Sequence, residues 1–589
     1  MYNWKLLDNA PTDFYNKHPE LPPIIVRLLW NRNLRTQIEI DEFLNPDYSQ
    51  DIHDPFLFKD MKKALKIIFR AIKKQKNIVV HGDYDADGVC SSAILIKTLK
   101  VFGAKNVSVF IPHRETDGYG VNMNTVEEFH KEKKELLITC DCGISNSKEI
   151  KKAKEYKMEV IITDHHTVPK KIPNADAIIH PKVKKEKYPD KNLCGTGVAF
   201  KLVQALLIEH KKKNETLPNG VLHEAYEKWM LDLVALATVG DMISLYGESR
   251  TLTRYGLIVL NKTQNIGLKH LLQACSLSDE NKKLKRKLTT QNLGFQIIPR
   301  INAAGRMDYA NTAFALLMAE NDKSAKELAQ KLNQNNIDRQ KLTEVIIKEA
   351  KAQIEEDQKD NPILFAIKEG WPTGILGLVA GKIKDMYNKP VIVMGISNGE
   401  ITGSGRSIKE IDIIEMLQEV PELFTKFGGH PQACGITLRN PDKLEQFKKI
   451  LIKKVKTKIR GKKLIPEILI DAKVELEDVD WKLYDLLQKF EPFGQENEEP
   501  KYMAKKLIVT SIEPVGQTGK HLRILVKHNS NIVRKTIGFG LGDTNRHPED
   551  WRKNLTVGDK IDMVFNVGVN EWNGNRELQL TVQDIKKSK

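Results

Sequence analysis

Three short apolar runs, each followed at once by acidic or histidine residues, constrain the fold of this chain more than any other feature. The runs are residues 78–80, 136–139 and 160–163, and the first leads through a turn into a helical pattern. Strands that alternate with helices form parallel α/β sheets, and such sheets bind ligands at the carboxyl ends of their strands. The sequence therefore predicts a parallel sheet with one site that collects all three clusters.

The first cluster follows the first run directly. Asp83, Asp85 and Asp87 alternate with other residues and end at Gly88, as in a calcium loop. A calcium loop needs a helix before it and a glutamate at its twelfth position. Here a strand precedes, and the twelfth position is Ile94. A solvated acidic turn is the other alternative, but an apolar strand that leads into a glycine turn favours a built site.

The other clusters supply imidazoles and more carboxylates. Asp164, His165 and His166 follow the third run, Asp141 follows the second, and Asp241 follows a later apolar stretch. An acid after an apolar run is often only a helix cap. Together, however, hard oxygen ligands and imidazoles suit a pair of Mn²⁺ or Mg²⁺ ions, which can activate water and clamp the oxygens of a phosphoryl displacement. The pattern predicts a metal-dependent phosphodiesterase whose ligands are Asp85, Asp87, Asp141, His165 and Asp241.

Composition narrows the class of protein further. The formal charge is +16, from 93 basic and 77 acidic residues. This excess could serve solubility alone, but it favours a function with a polyanionic partner such as nucleic acid. No apolar run approaches the roughly 18 residues that span a bilayer, and no secretory segment is readable. Six scattered cysteines argue against a disulfide framework, and we interpret Cys140 and Cys142 as packing residues. We therefore expect a cytoplasmic protein with no membrane association.

The rest of the chain predicts further domains. At 589 residues it is too long for one core. Residues 322–357 lack Gly and Pro and predict a helix of about 54 Å. A second α/β segment follows, from 363 to about 450. The basic run 453–463 is typical of a linker, and residues 465–589 contain short alternating strands that predict an OB-fold barrel.

The clusters also carry a family resemblance. Asp83–Gly88, Asp141–Gly143, Asp164–His166 and Asp241 resemble, in order and spacing, the four motifs of the DHH phosphoesterase family, and the whole chain resembles the single-stranded-DNA exonucleases within it. Further segments resemble those exonucleases: Phe43–Pro46, His53–Phe56, Leu193–Phe200, Pro299–Met307, Gly403–Ser407, Gly428–His430, Glu491–Gly494 and Trp572–Gly574. The resemblance implies a parallel-sheet DHH catalytic lobe, a long helix, a DHH-associated α/β lobe and an OB-fold barrel.

The expected domains follow from that resemblance. They are an N-terminal lead-in (1–75), a DHH catalytic domain (76–320), a connecting helix (321–360), a DHH-associated domain (361–452), and a linker with an OB-fold (453–589).

The resemblance also implies an activity and its residues. The activity is 5′-to-3′ hydrolysis of single-stranded DNA with two Mn²⁺ or Mg²⁺ ions, in recombination and repair, with a helicase and a single-strand-binding protein as expected partners. The implied metal ligands are Asp85, Asp87, Asp141, His165, Asp241 and His81. The implied catalytic residues are His166 and Asp83. The implied substrate-binding residues are Arg114, Arg306, Ser404, Arg406 and His430.

Two expectations concern DNA contacts. Residues 403–407 are expected to form a glycine-rich turn whose backbone N–H groups, with Arg406, hold a terminal phosphate. Lys520, His521 and Arg523 on one strand, with Trp572 on a loop, are expected to bind single strands by charge and stacking. One departure stands out: many family members have Trp-His before the segment 374–377, whereas this chain has Trp371 and Pro372. Any role for that histidine is absent here.

Two rival functions remain open. A DHH enzyme acting on cyclic dinucleotides, short oligonucleotides or pyrophosphate would share the acidic site but would not need the OB-like tail. A non-catalytic DHH relative that serves as a replication scaffold would typically lack acidic ligands, and all the main ones are present here.

Overall fold

The computed structural model describes residues 2–307, 309–461, 464–528, 532–543, 547, 549–572 and 575–588. The chain divides into two compact units. The first unit comprises Met1–Leu44, Thr343–Glu491 and Glu498–Lys589, and the second comprises Asn45–Leu342 and Pro492–Asn497. None of the described helices combines the length and apolarity that crossing a membrane requires.

The N-terminal segment of the first unit is mainly helical. Its elements are β1 (Asn3–Leu6), α1 (Thr12–Lys17), α2 (Pro23–Asn31) and α3 (Gln37–Leu44).

The second unit is the predicted α/β layer structure. Its elements are α4 (Met61–Lys73), β2 (Ile78–His81), α5 (Ala86–Val101), β3 (Val107–Phe110), α6 (Met123–Lys131), β4 (Leu136–Cys140), α7 (Ser147–Glu155), β5 (Glu159–Thr163), β6 (Ala177–Ile179), α8 (Gly195–Lys211), α9 (His223–Trp229), α10 (Leu231–Gly240), α11 (Gly247–Leu260), α12 (Ile266–Ala274), α13 (Thr290–Asn292), a π-helical turn (Leu293–Ile297), α14 (Ile298–Met307) and α15 (Asn311–Leu317). All five strands are parallel, in the order β3-β2-β4-β5-β6.

This strand order places the ligand-binding edge. The chain passes from β2 to β3 on one side and then returns to β4 on the other, so the order reverses between β2 and β4. Such a reversal opens a crevice at the carboxyl ends of the two strands. Both strands are completely buried, with apolar helical cores on either face of the sheet, which explains why their sequences are continuous apolar runs.

A single helix, α16 (Asp322–Asp357), has the bounds that the sequence predicted. At 1.5 Å per residue it is about 54 Å long. The boundary between the two units falls within this helix, between residues 342 and 343.

The next part of the first unit is a mixed sheet with helices. Its elements are β7 (Leu364–Glu369), α17 (Thr373–Tyr387), β8 (Val391–Ser397), β9 (Glu400–Arg406), α18 (Ile413–Gln418), β10 (Phe424–His430), β11 (Ala433–Leu438) and α19 (Leu444–Ile459). The strand order is β10-β11-β9-β8-β7, with β7 and β8 parallel and the other pairs antiparallel.

Two local predictions in this part are wrong. Residues 403–406 are not a turn but half of β9, which lies between β8 and β11, so ladder partners on both sides take up its backbone amides. The Ser407 amide also donates, to the Gln432 carbonyl. The basic run from Lys453 does not begin a linker, because buried Leu451 and Val455 continue the apolar face of α19 to Ile459. Lys462 and Lys463 lie outside the described residues.

The last part is the predicted barrel. Its elements are β12 (Glu467–Ile470), β13 (Ala472–Lys473), α20 (Trp481–Leu487), β14 (Tyr502–Val515), β15 (His521–Lys527), β16 (Val533–Gly538), α21 (Trp551–Asn554), β17 (Lys560–Trp572) and β18 (Asn575–Lys587). Strands β14, β15, β16, β18 and β17 close into a five-stranded barrel, which confirms the OB-fold. The N-terminal strand β1 pairs with β12 in parallel, and Trp4 donates to Asp584 at 2.6 Å, so the barrel region holds the start of the chain.

Candidate active site

The loop between β2 and α5 carries the first three carboxylates. Asp85 caps α5, because its side chain accepts from the amides of Asp87 and Gly88. A Cβ atom on Gly88 would lie 2.4 Å from the Asp83 amide nitrogen, so only glycine allows the loop to close this tightly. Asp83 and Asp87 are buried as a result.

The N-terminus of α8 fixes the Asp87 carboxylate. Its Oδ2 accepts from the Gly195 amide at 2.7 Å and its Oδ1 from the Thr196 amide at 2.6 Å. The Thr196 hydroxyl donates to the Asp87 carbonyl at 2.9 Å. A helix N-terminus favours negative charge because its first amides have no partner within the helix. Asp87 is therefore held in one orientation before any ligand binds.

Asp141 follows β4 in a strained backbone conformation. Its φ of 61° is left-handed, which is uncommon for residues other than glycine and clusters at functional sites. Its amide donates to the Thr163 carbonyl at 3.0 Å. A Cβ atom on Gly195 would lie 2.5 Å from Asp141 Oδ1, so the absence of a side chain at Gly195 makes room for this carboxylate.

Asp164 is fully occupied by protein hydrogen bonds. Its Oδ2 accepts from the Ile144 amide at 2.9 Å, and its Oδ1 lies 2.8 Å from His166 Nδ1. Burial opposes charge on both groups, but their mutual bond and attraction lower the pKa of Asp164 to about 2 and raise the pKa of His166 to about 9. Asp164 thus orients His166, with Nδ1 bonded to it and Nε2 as the remaining ring donor.

His165 lies among the other carboxylates. Its Nε2 is 3.2 Å from Asp141 Oδ1, 3.5 Å from Asp241 Oδ2 and 3.9 Å from Asp87 Oδ2. Burial lowers the pKa of His165 to about 4, against the attraction of Asp87, so the imidazole is neutral at pH 7. A neutral imidazole nitrogen is a metal ligand.

The ligand atoms form overlapping groups. Three groups at this site have ligand atoms that all lie within 4.8 Å of one another: Asp83 with Asp85 and Asp141, Asp87 with His165 and Asp241, and Asp141 with His165 and His166. Among the described residues a fourth such group, Glu475 with Glu477 and His528, lies in the first unit. Asp141 belongs to two of these groups, and so does His165. The three ligand groups at this site are thus linked to one another through Asp141 and His165.

The carboxylates crowd one another. Burial and then the neighbouring carboxylates raise the pKa of Asp83, Asp85 and Asp141, and raise the pKa of Asp241 to about 8. Buried Asp83 Oδ1, Asp141 Oδ1 and both ring nitrogens of His165 have no hydrogen-bond partner. Buried polar atoms without partners are costly and call for an explanation. Hard cations with oxygen and imidazole ligands supply one, so the residues fit Mn²⁺ or Mg²⁺.

His81 is the one predicted ligand that stands apart from these groups. It ends β2, is completely buried, and its Nδ1 lies 3.6 Å from the Cys142 sulfur. Burial lowers the pKa of His81 to about 4. The structure does not bring its ring nitrogens into any of the ligand groups of the described residues.

One predicted substrate arginine of the second unit contacts Tyr84, which lies between Asp83 and Asp85 in the chain. The Arg114 guanidinium lies 4.7 Å from the centre of the Tyr84 ring. Burial and then Asp83 raise the pKa of Tyr84 to about 12, while the charges of Arg114 and Arg306 oppose the rise. Arg114 therefore lies beside the acidic loop, and the charge of Arg306 is near enough to affect it.

The predicted substrate residues of the first unit lie on its mixed sheet. Arg406 Nη1 donates to Ser404 Oγ at 3.1 Å and to the Gly405 carbonyl at 2.8 Å. The Ser404 hydroxyl donates to the Cys434 carbonyl at 3.2 Å, so it is engaged within the sheet. A Cβ atom on Gly377 would lie 2.8 Å from Arg406 Nη2, which places the guanidinium beside the start of α17. His430 is exposed at the end of the edge strand β10.

The barrel residues expected to bind single strands are on the surface of the first unit. His521 and Arg523 lie on β15, while Lys520 just precedes it and pairs with Asp543 at 3.2 Å. The exposed ring of Phe539 lies 5.4 Å from that of His521 and was not anticipated. Trp572 ends β17 rather than lying on a loop, and Asn573 and Gly574 are outside the described residues.

Sequence reasoning named Asp164 and the segment that contains Gly195 and Thr196, but it did not identify their positioning contacts. It also gave no contact to Asn302, whose Oδ1 accepts from the Ala86 amide at 2.8 Å. Tyr119 also belongs here, with its hydroxyl 3.0 Å from His166 Nδ1. Several of these residues fall inside segments that resembled the family, but the resemblance by itself assigned them no contact.

Comparison with known proteins agrees with this architecture. The DHH family, N-terminal domain, matches residues 77–238, the DHHA1 domain matches residues 360–457, and the RecJ OB domain matches residues 470–584. These matches cover the parallel sheet, the mixed sheet and the barrel in turn.

Relatives match over nearly the whole chain. The single-stranded-DNA-specific exonuclease RecJ of Bacillus subtilis is 33% identical over 96% of this chain and 68% of its own length. RecJ of Escherichia coli is 30% identical, covering 96% of each chain. The crystal structure of RecJ in complex with Mn²⁺ from Thermus thermophilus superposes with a TM-score of 0.80 at 26% identity, over 100% of this chain and 80% of that one. A manganese-bound exonuclease RecJ has a TM-score of 0.57 at 32% identity, over 69% of this chain and 98% of that one. The chain therefore belongs to the RecJ family of single-stranded-DNA-specific exonucleases.

Proposed function

We propose that this protein is a metal-dependent exonuclease that hydrolyses single-stranded DNA from the 5′ end with two Mn²⁺ or Mg²⁺ ions, in DNA recombination and repair. Its relatives are named as single-stranded-DNA-specific exonucleases, and two of their structures contain manganese. A cytoplasmic location, a helicase partner and a single-strand-binding protein as a further partner are part of the same proposal.

One observation carries the mechanism: the connected ligand groups. Asp141 shares one group with Asp83 and Asp85 and a second with His165 and His166, and His165 in turn shares a group with Asp87 and Asp241. Shared members of this kind would let neighbouring ions be held close together. The proposed ligands are thus Asp85, Asp87, Asp141, His165 and Asp241, with Asp83 beside them in the first group.

The chemistry divides between the ions and the chain. Two bound ions supply Lewis-acid charge and a more acidic water for in-line attack on a phosphodiester. Asp87, fixed by the start of α8, and neutral His165 hold their lone pairs in place for them. His166 is protonated at pH 7 and bonded through Nδ1 to Asp164, so its Nε2–H can donate to a phosphate oxygen or to the leaving oxygen. Arg114 and Arg306 attract the flanking phosphates.

Recognition of the 5′ end is assigned to Arg406 in the first unit. The Arg406 guanidinium lies against Gly377, one turn into α17, so a phosphate bonded to Arg406 would lie near the first turn of a helix, which favours an anion. The ladder bonds of β9 leave no amide nest there, so Arg406 itself carries the role. Exposed His430 on β10 is proposed as a further contact.

The alternative, a DHH phosphodiesterase for short oligonucleotides or cyclic dinucleotides, explains the acidic site equally well. The closed barrel of the first unit favours the long substrate, because OB-folds bind extended single strands through charge and stacking. A scaffold without activity is disfavoured by the complete set of acidic ligands.

The deciding experiment uses one single-stranded DNA labelled either at its 5′ end or at its 3′ end, with Mn²⁺. We expect the 5′ label to be released first, as a mononucleotide, and the 3′-labelled strand to shorten gradually. Short RNA dinucleotides, cyclic dinucleotides and pyrophosphate serve as competing substrates in parallel. Faster hydrolysis of any of these than of DNA, or release of the 3′ label first, would contradict the proposal.

A further inference from the structure

Helix α19 of the first unit separates its basic residues into two sets. Lys448, Lys454 and Lys458 form ion pairs with Glu445, Glu419 and Glu415, respectively. Lys449, Lys453 and Lys456 are exposed, and none has an acidic partner among the described residues. We call these three lysines the basic stripe. The six lysines of α19 thus divide into three that are neutralised by glutamates and three that face solvent, and Arg460 follows the helix as its exposed C-cap.

The basic stripe is straight. Its members are spaced four and three residues apart, which at 3.6 residues per turn keeps them on one side of the helix. They lie opposite the buried side formed by Phe447, Leu451 and Val455. From first to last they span about 10 Å at 1.5 Å per residue. The result is a rigid row of three positive charges on a helix that the core of its own domain holds in place.

The chemistry of this row selects nucleic acid among the possible anionic partners. Protein interfaces need an apolar centre, and helices that bind membranes insert an apolar face. The apolar residues of α19 are buried or partly buried against its own core, and its exposed side is Lys with polar neighbours. Protein–DNA interfaces, in contrast, are polar and strongly positive. The stripe therefore matches a phosphate backbone.

The absence of aromatic side chains distinguishes duplex from single strand. Proteins that bind single strands combine positive charge with aromatic rings on which bases stack. The one aromatic residue of α19, Phe447, is buried. In a duplex the bases already stack on one another, and one strand presents a phosphate every 3.4 Å or so along the axis. A row of about 10 Å thus faces about three phosphates and needs to contact nothing else.

We propose that the basic stripe on α19 binds the phosphate backbone of double-stranded DNA, as a second nucleic-acid surface distinct from the single-strand contacts. An enzyme that degrades a single strand next to a duplex would then hold both parts of such a DNA. The surface reads charge only, so it is independent of base sequence.

The test compares two triple variants of the full-length protein. Lys449→Gln/Lys453→Gln/Lys456→Gln removes three charges from the stripe, and Lys448→Gln/Lys454→Gln/Lys458→Gln removes three ion-paired charges from the same helix. Binding is measured in metal-free buffer across a salt series, with two probes: a duplex closed by a hairpin loop at each end, and an unstructured thymidine strand. Melting curves establish that both variants fold.

We expect the stripe variant to bind the closed duplex about tenfold more weakly. Its salt slope should become shallower by up to about 2.7, which is about 0.9 for each of the phosphates that the three lysines no longer neutralise. The paired-lysine variant should change the slope by less than about 1. Binding of the thymidine strand and hydrolysis of a short single strand should stay within about twofold of wild type in both variants.

Three results would overturn the proposal. Unchanged duplex binding by the stripe variant would mean that the stripe contacts no nucleic acid. Equal losses in the two variants would mean that only overall charge matters. An equal loss on the thymidine strand would place the stripe on the single-strand path instead.

Discussion

Two glycines, one in each unit, make room for charges of opposite sign. Gly195 starts α8 and lies against the carboxylate of Asp141, and Gly377 lies near the start of α17 against the guanidinium of Arg406. Asp141 is one of several crowded carboxylates without bonding partners, whereas Arg406 is bonded to Ser404 and Gly405. The first arrangement leaves buried acceptor atoms that bound cations would satisfy. The second has its hydrogen bonds within the protein, so an anion there would be an addition. Removing a group from the first should therefore cost more.

The largest expected effect is that of Asp141→Ala. Outer partners of a metal ligand typically contribute about 10–100-fold to activity, and a carboxylate shared by two ligand groups should contribute more. We expect loss of measurable hydrolysis with DNA binding retained in metal-free buffer. The melting temperature without metal reports two opposing effects, because one source of carboxylate repulsion is gone but alanine is less tolerant of the left-handed backbone at this position.

Asp141→Asn is the matched control, since asparagine tolerates the left-handed backbone at this position and removes only the charge. Hydrolysis by either variant at a rate near that of wild type, with saturating Mn²⁺, would contradict the assignment of Asp141.

Gly195→Ala should rank second. The new methyl group would lie 2.5 Å from Asp141 Oδ1 and must displace it. We expect activity to fall by about 10–100-fold, as for other disturbances of ligand position. The measurement is hydrolysis as a function of Mn²⁺ concentration, and a shifted metal dependence separates displacement from misfolding. Gly381→Ala serves as the control, because a Cβ atom at Gly381 would meet no other atom within 4 Å.

Arg406→Ala should act on only one class of substrate. A lost hydrogen bond to a charged group costs about 1.5–3 kcal/mol, or roughly 10–150-fold. We expect that loss on strands with a 5′ phosphate and a much smaller one on strands with a 5′ hydroxyl. Rates for both substrates, with wild type and variant, decide the matter. Equal losses would mean that Arg406 contacts the general backbone or supports the sheet.

Gly377→Ala should reduce the same preference for 5′-phosphorylated strands as Arg406→Ala, but by less. The added methyl group would lie 2.8 Å from Arg406 Nη2, at the flexible end of a long side chain that can move aside. We expect a severalfold loss of 5′-phosphate preference and unchanged activity on 5′-hydroxyl strands. If Gly377→Ala costs as much as Gly195→Ala, the contrast between the two sites is wrong.

The smallest effect concerns pH and metal together. The folded-state pKa of Asp241 is raised from 3.8 to about 8, so without metal the free energy of unfolding falls as the pH rises through that window. Metal binding requires the deprotonated form. Mn²⁺ should therefore raise the melting temperature more at pH 8 than at pH 6. A ligand present at one hundred times its Kd increases the free energy of unfolding by about 2.7 kcal/mol, which sets the size of the expected shift. Equal thermal shifts at the two pH values would show that the carboxylates are already ionised without metal.

Sequence patterns predicted what depends on short stretches of chain. The buried strands, the acidic ends of β2, β4 and β5, α16 and the barrel were all readable, because apolar runs and turn residues act locally. The partners of Asp87 were not, since they lie 108 and 109 residues away. Glycines at 403 and 405 indicated a turn because nothing local revealed a strand on each side. The many lysines of α19 indicated a linker, although Phe447, Leu451 and Val455 recur every four residues and continue the helix.

The pairing of β1 with β12 orders the events of synthesis. Asn3 and its partner Glu467 are 464 residues apart, so the first strand leaves the ribosome long before its neighbour exists. At about 5–20 residues per second, this delay is roughly 25–90 seconds. All of the second unit except its short 492–497 segment is complete in that interval and can fold first. The N-terminal segment must wait, unpaired, and closes the first unit only when the barrel emerges.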